Sequence, residues 1–117
     1  MTRSSSAPAR KFAEAATVFA ALGDPMRLRI VARLCDAGPL SIAHLTLGAN
    51  ISRQAVTKHL HALSEAGLAR SERRGRERLW RLEPRRLARA RRSLDQISLR
   101  WDEALGRLKA VLESAEA

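Results

Sequence analysis

From Ser52 to Ala66 the polar residues Gln54, Thr57, Lys58, His61 and Glu65 recur at intervals that place them on one side of a helix, at about 100° per residue. Val56, Leu60 and Leu63 fall within a narrow arc on the other side. Gln and Lys side chains hydrogen-bond purine edges, and Thr presents a hydroxyl together with a methyl that fits thymine. Arg53, near the positive end of such a helix, reaches guanine or phosphate. The chemistry on offer is the reading of duplex DNA from the major groove, with Ser52, Arg53, Gln54, Thr57, Lys58 and His61 as the candidate contacts. An ordinary solvated helix face carries the same residue types, so the neighbouring segments must decide between the two.

A second cluster follows closely. In Arg73-Arg74-Gly75-Arg76-Glu77-Arg78, guanidinium groups are concentrated around a glycine that permits the positive φ of a tight hairpin. Arg73, Arg74, Arg76 and Arg78 are then placed to follow phosphates or a narrow minor groove. No other chemistry is assembled. There is no supported nucleophile and histidine pair, no glycine-rich phosphate loop and no tyrosine, so an enzyme is not expected. No cofactor is expected either. His59 borders the apolar arc and is expected to pack between helices, while His44 and His61 have no partner at ligand spacing. The single cysteine, Cys35, cannot form an internal disulfide or a tetrahedral thiolate site. Its neighbours Val31, Leu34 and Gly38 predict a packed thiol, with a redox sensor as the alternative.

Charge supports a polyanionic partner. With 22 Lys and Arg against 12 Asp and Glu, the formal charge of +10 steers the chain toward double-stranded DNA first and an anionic membrane surface second. The absence of an apolar span of about 20 residues and the polar, basic start without an apolar signal core lead us to expect a cytoplasmic protein with no membrane partner. At 117 residues with 45% hydrophobic but only 3% aromatic side chains, one domain with an aliphatic, helix-rich core is expected.

The elements that must position both clusters can be read in order. Residues 1–11 have no periodicity and read as a flexible basic arm, and residues 12–117 as the folded domain. Phe12, Ala15, Ala16, Phe19 and Leu22 mark a first helix, stopped by Gly23-Asp24-Pro25. In the second, Leu28, Val31, Ala32 and Leu34 are expected to face inward and Arg27, Arg29 and Arg33 outward, with an end at Gly38-Pro39. A short helix over Ile42–Leu47, a turn at 48–50 and a longer helix capped by Ser52 and closed by Gly67 make a helix-turn-helix. Leu68–Arg74 and Glu77–Leu82 then read as a two-stranded hairpin, or wing. Pro84 opens a last helix of about 25 to 30 residues in which Leu87, Leu94, Ile97, Trp101, Leu105, Leu108 and Leu112 form a stripe. So small a domain already has four helices for its core, which predicts that Phe12, Phe19, Leu94, Ile97, Trp101, Leu105, Leu108 and Leu112 pair with a second copy. The expected fold is mainly α with a small β-hairpin: a winged helix-turn-helix of five helices, dimerising through the first and last. A two-fold dimer would suit an inverted repeat with half-sites about one helical turn apart.

Three stretches carry a family likeness: Phe19 to Val31 (FAALGDPMRLRIV), Ile51 to Leu63 (ISRQAVTKHLHAL) and Gly67 to Leu82 (GLARSERRGRERLWRL). In this order they resemble the ArsR/SmtB family of winged-helix repressors over nearly everything from Phe12 onward. The resemblance implies a homodimer built from the first and last helices, repression of a promoter, and in many members release from DNA by an effector. The best-known members sense metals through cysteine pairs or His and Asp clusters. Here the third helix, Ile42 to Leu47, has no cysteine pair and the last has Asp95 but no histidine, so the likeness is to non-metal-sensing members, with the effector unknown. Against a sequence-specific regulator stands one further class, a winged-helix module that binds an acidic protein surface.

Overall fold

The computed structural model describes residues 7–116 and orders them as α1 (Ala7–Leu22), α2 (Pro25–Ala37), α3 (Ile42–Thr46), α4 (Arg53–Glu65), β1 (Ala69–Arg74), β2 (Glu77–Leu82) and α5 (Pro84–Glu116). Local chemistry sets the boundaries. Asp24 caps α2 by accepting from the backbone N–H groups of Met26 (2.8 Å) and Arg27 (3.1 Å), with Pro25 at the first helical position. Ser41 and Ser52 cap α3 and α4 by accepting from His44 N and Ala55 N at 3.2 and 3.1 Å. Gly67 follows α4 at φ 77°, a left-handed geometry in which a side chain would also meet Arg86 Cγ at 3.0 Å. Helix α1 starts at Ala7, inside the segment read as an arm. Alanines and basic residues there favour helix, and Pro8 sits in the first turn where its missing N–H costs nothing. The rest of that arm, residues 1–6, lies outside the described residues.

Leu45, Val56, Leu60, Leu63 and Val18 form the fully buried centre, and Ile30, Val31, Leu34, Leu68, Trp80 and Ala90 close around it. Helix α2 therefore does not present the face expected of it. Ile30 is buried with Val31 and Leu34, whereas Leu28 (51% exposed) and Ala32 face solvent. Met26, Leu28, Ile30, Val31, Ala32, Leu34 and Cys35 put apolar groups around most of this helix, so its rotation is decided by packing on α4 and the hairpin rather than by periodicity. The same rotation exposes Cys35, correcting the expectation of a packed thiol.

The hairpin pairs Ala69 with Leu82, Ser71 with Trp80 and Arg73 with Arg78 in antiparallel register. Leu40 adds a single-residue third strand, exchanging two backbone hydrogen bonds with Trp80 at 3.0 and 2.8 Å. That contact ties the entrance of the helix-turn-helix to the wing. Helix α5 packs on α1 near its start, where Ala90 and Ser93 are buried, and its residues from Leu94 to Glu116 are all exposed. The resulting radius of gyration is 19.6 Å, against about 13 Å for a compact chain of this length.

Candidate nucleic-acid interface

Helix α4 displays its polar side because three residues anchor the other: Val56, Leu60 and Leu63 are each 0% exposed. Arg53, Gln54, Lys58, His61 and Glu65 are exposed on the outer side. Thr57 is half-buried and its hydroxyl donates to Arg53 O at 2.8 Å, while the Ser52 hydroxyl is occupied by its own cap. Of the candidate contacts, Arg53, Gln54, Lys58 and His61 thus keep free polar ends.

Two arginines of α2 bind the helix-turn-helix, Arg27 at α4 and Arg33 at α3, and both differ from the expectation that they face outward. Arg27 donates through Nε to His59 Nδ1 at 3.3 Å and through Nη1 to Ala21 O at 3.2 Å, joining α1, α2 and α4. His59 does pack between helices. Arg33 donates to Leu45 O at 2.8 Å and His44 O at 3.0 Å, satisfying two carbonyls at the end of the five-residue α3. The acceptors His59, Leu45 and His44 could not be found from sequence, since they lie 32, 12 and 11 residues away. Arg29 is exposed as expected.

Register divides the wing arginines between two faces. Ser71, Arg73, Arg78 and Trp80 share one face, and Arg70, Glu72, Arg74, Glu77, Leu79 and Arg81 the other. On the second face the arginines meet acids: Arg81 Nε lies 2.8 Å from Glu72 Oε1, Arg74 is 3.6 Å from the same carboxylate, and Arg70 is 3.2 Å from Glu83. The Arg81 contact is an ion pair without an aligned hydrogen bond. On the first face Arg73 and Arg78 stand directly opposite each other and form no ion pair among the described residues. Arg78 donates only to Ser71 Oγ, at 2.9 Å. Like charges across a strand pair cost stability unless an anion relieves them. This same face carries Trp80, whose ring packs against His61 of α4 with centroids 6.0 Å apart. Arg73 and Arg78 therefore extend the exposed side of α4, whereas Arg74 points away from it. Arg76 occupies the exposed tip beside Gly75, whose φ of 62° makes the turn.

Asp24 stands close by, its carboxyl held below the ordinary range first by the N–H of Arg27, then by that of Met26 and by the charges of His59 and Arg27, against the opposing effect of burial. The α2 cap and the His59 contact belong to one small network under α4.

The apolar stripe of α5 has no cover within the chain: Leu94, Ile97, Trp101, Leu105, Leu108 and Leu112 are 45% to 65% exposed. Phe19 is 38% exposed and Phe12 half-buried on α1. Among the described residues no three His, Cys, Asp or Glu side chains come together as metal ligands, and no helix is long and apolar enough to cross a membrane.

Residues 22–72 match the family model described as a helix-turn-helix domain. The HTH-type transcriptional regulator Rv2034 of Mycobacterium tuberculosis is 36% identical over 94 residues, spanning 80% of this chain and 84% of that protein. An ArsR-like transcriptional regulator from Rhodococcus sp. RHA1 superposes with a TM-score of 0.73 at 39% identity, over 86% of this chain and 93% of that one. The winged helix-turn-helix DNA-binding domain of Mb0332 from Mycobacterium bovis, described as homodimeric, shares the fold with a TM-score of 0.62 at 22% identity over 88% and 92% of the two chains.

Proposed function

Since this chain belongs to the ArsR family of winged helix-turn-helix transcriptional regulators, we propose that it represses a promoter as a homodimer bound to an inverted-repeat operator. Helix α4 enters the major groove, where Gln54 and Lys58 read base edges and Arg53 and His61 contact bases or phosphates at its margins. Thr57 contributes its methyl, because its hydroxyl is engaged by the helix, and Ser52 contributes its position at the positive helix end. Arg73, Arg78 and the tip residue Arg76 follow the flanking backbone. The observation that carries this reading is the continuity of α4 with one hairpin face, fixed by the His61 and Trp80 contact and leaving two opposed arginines without acids. Dimerisation is supported by the uncovered stripe on α5 and by the homodimeric state described for Mb0332.

Lys58→Ala and Gln54→Ala test the base-reading role. Each is expected to weaken binding to the selected operator by about 1 to 3 kcal/mol while leaving random duplex nearly unaffected. Equal losses on both duplexes would remove base readout from this helix.

A further inference from the structure

The DNA-facing surface leaves a second concentration of positive charge without a role. Where α1 packs on α5, Arg10 and Lys11 from one helix and Arg89, Arg92 and Ser93 from the other line a cleft of about 350 Å³. That is within the size of small-ligand sites. Four cationic side chains face one carboxylate, Glu14, which is 3.5 Å from Arg89. Arg10, Lys11 and Arg92 have no ion-pair partner among the described residues.

Ser93 is a polar residue in an otherwise apolar buried set, 6% exposed, and it lines this cleft. One turn earlier Ala90 occupies the same α1-facing side at 1% exposure, so packing alone calls for a small apolar residue here. A serine in its place puts a hydroxyl on the wall of the cationic cleft, where a bound oxyanion could accept from it.

A dimer formed through the apolar stripe of α5 would leave the cleft open. At about 100° per residue, Arg89, Arg92 and Gln96 lie on the side of α5 roughly opposite Leu94, Trp101 and Leu105, so a second copy seated on the apolar stripe does not cover them.

We propose that this cleft binds a compact multivalent anion, phosphorylated or polycarboxylic, held by Arg10, Lys11, Arg89 and Arg92 and by a hydrogen bond from Ser93. No aromatic residue lines it, which argues against a flat or apolar ligand. The anion ties α1 to α5, the two helices that carry the dimer face, so it adjusts the spacing of the recognition helices and hence operator affinity. That last step rests on the dimer reading; binding itself does not.

Calorimetry on the full chain at physiological salt, with pyrophosphate and citrate as separate probes and no DNA present, tests the site. At least one probe is expected to bind saturably, one per chain, and which one does so separates a phosphate site from a carboxylate site. Arg92→Gln is expected to weaken it about tenfold or more and Ser93→Ala about fivefold, while the double variant Arg73→Gln, Arg78→Gln leaves it within about twofold. Absence of saturable binding by both probes overturns the proposal. So does a wing variant that loses as much as Arg92→Gln, since the anions would then be sampling positive charge anywhere. Because the titration contains no duplex, its failure is distinct from a failure of the operator reading.

Discussion

The two faces of the hairpin give a prediction that separates DNA contact from mere charge. Replacing Arg73 and Arg78 together by Gln removes the two arginines that share a face with Trp80 and α4, whereas Arg74→Gln removes one that faces Glu72 and Glu77 on the other side. Each phosphate neutralised contributes about −0.9 to the slope of log K against log salt, so the double variant should be shallower by about 1.8. Between 50 and 200 mM salt that amounts to roughly a tenfold smaller loss of affinity than the native chain suffers. Arg74→Gln should leave the slope nearly unchanged. Stability should move the other way. Relief of directly opposed like charges raises it by about 0.2 to 1 kcal/mol, or up to roughly 4 to 8 °C in Tm. Fluorescence anisotropy of a labelled operator duplex over a salt series, paired with thermal melts, reads both quantities. An Arg74→Gln slope as shallow as that of the double variant, or an unaltered slope in the double variant, would refute the division of the faces.

Three further expectations follow from other parts of the chain. Leu105→Glu puts a charge in the uncovered stripe of α5 and should weaken self-association by about 100-fold or more, giving a monomer in sedimentation at micromolar concentration; a persisting dimer would place the interface elsewhere. The depressed Asp24 carboxyl contributes stability that is complete above the ordinary aspartate range, about 4, and is lost as pH falls through its lower folded value. Asp24→Asn should therefore flatten the acid limb of a stability profile, and an unchanged limb would assign that limb to other carboxylates. Exposed Cys35 should react with Ellman's reagent as one thiol per native chain, and Cys35→Ser should keep full operator affinity. Reaction only after denaturant would return the thiol to the core.

Legibility in the sequence tracked how local the determining physics was. Helix starts at Asp24, Ser41 and Ser52 and the turn at Gly75 depend on neighbours within a few residues, and these elements stood where their caps and turn chemistry put them. Val56, Leu60 and Leu63 were readable as a buried stripe because the rest of α4 is polar. Helix α2 lacks that contrast, so its periodicity points Leu28 inward and does not single out Ile30, which is buried. Arg27 and Arg33 resembled solvent-facing cations until distant acceptors in α4 and α3 came into reach. The single-residue strand at Leu40 has no periodicity to show, and the sorting of Arg73 and Arg78 from Arg74 needs the pairing register. α5 runs 33 residues, beyond the 25 to 30 estimated, since nothing after Leu112 breaks a helix.

Selection of bound duplexes from a random pool probes the central claim most directly. Two copies of α4 related by a two-fold axis should enrich an inverted repeat whose half-sites are centred about one helical turn, roughly 10 to 10.5 base pairs, apart. Recovery of duplexes with no shared motif, or of a single unrepeated half-site, would contradict a paired reading surface.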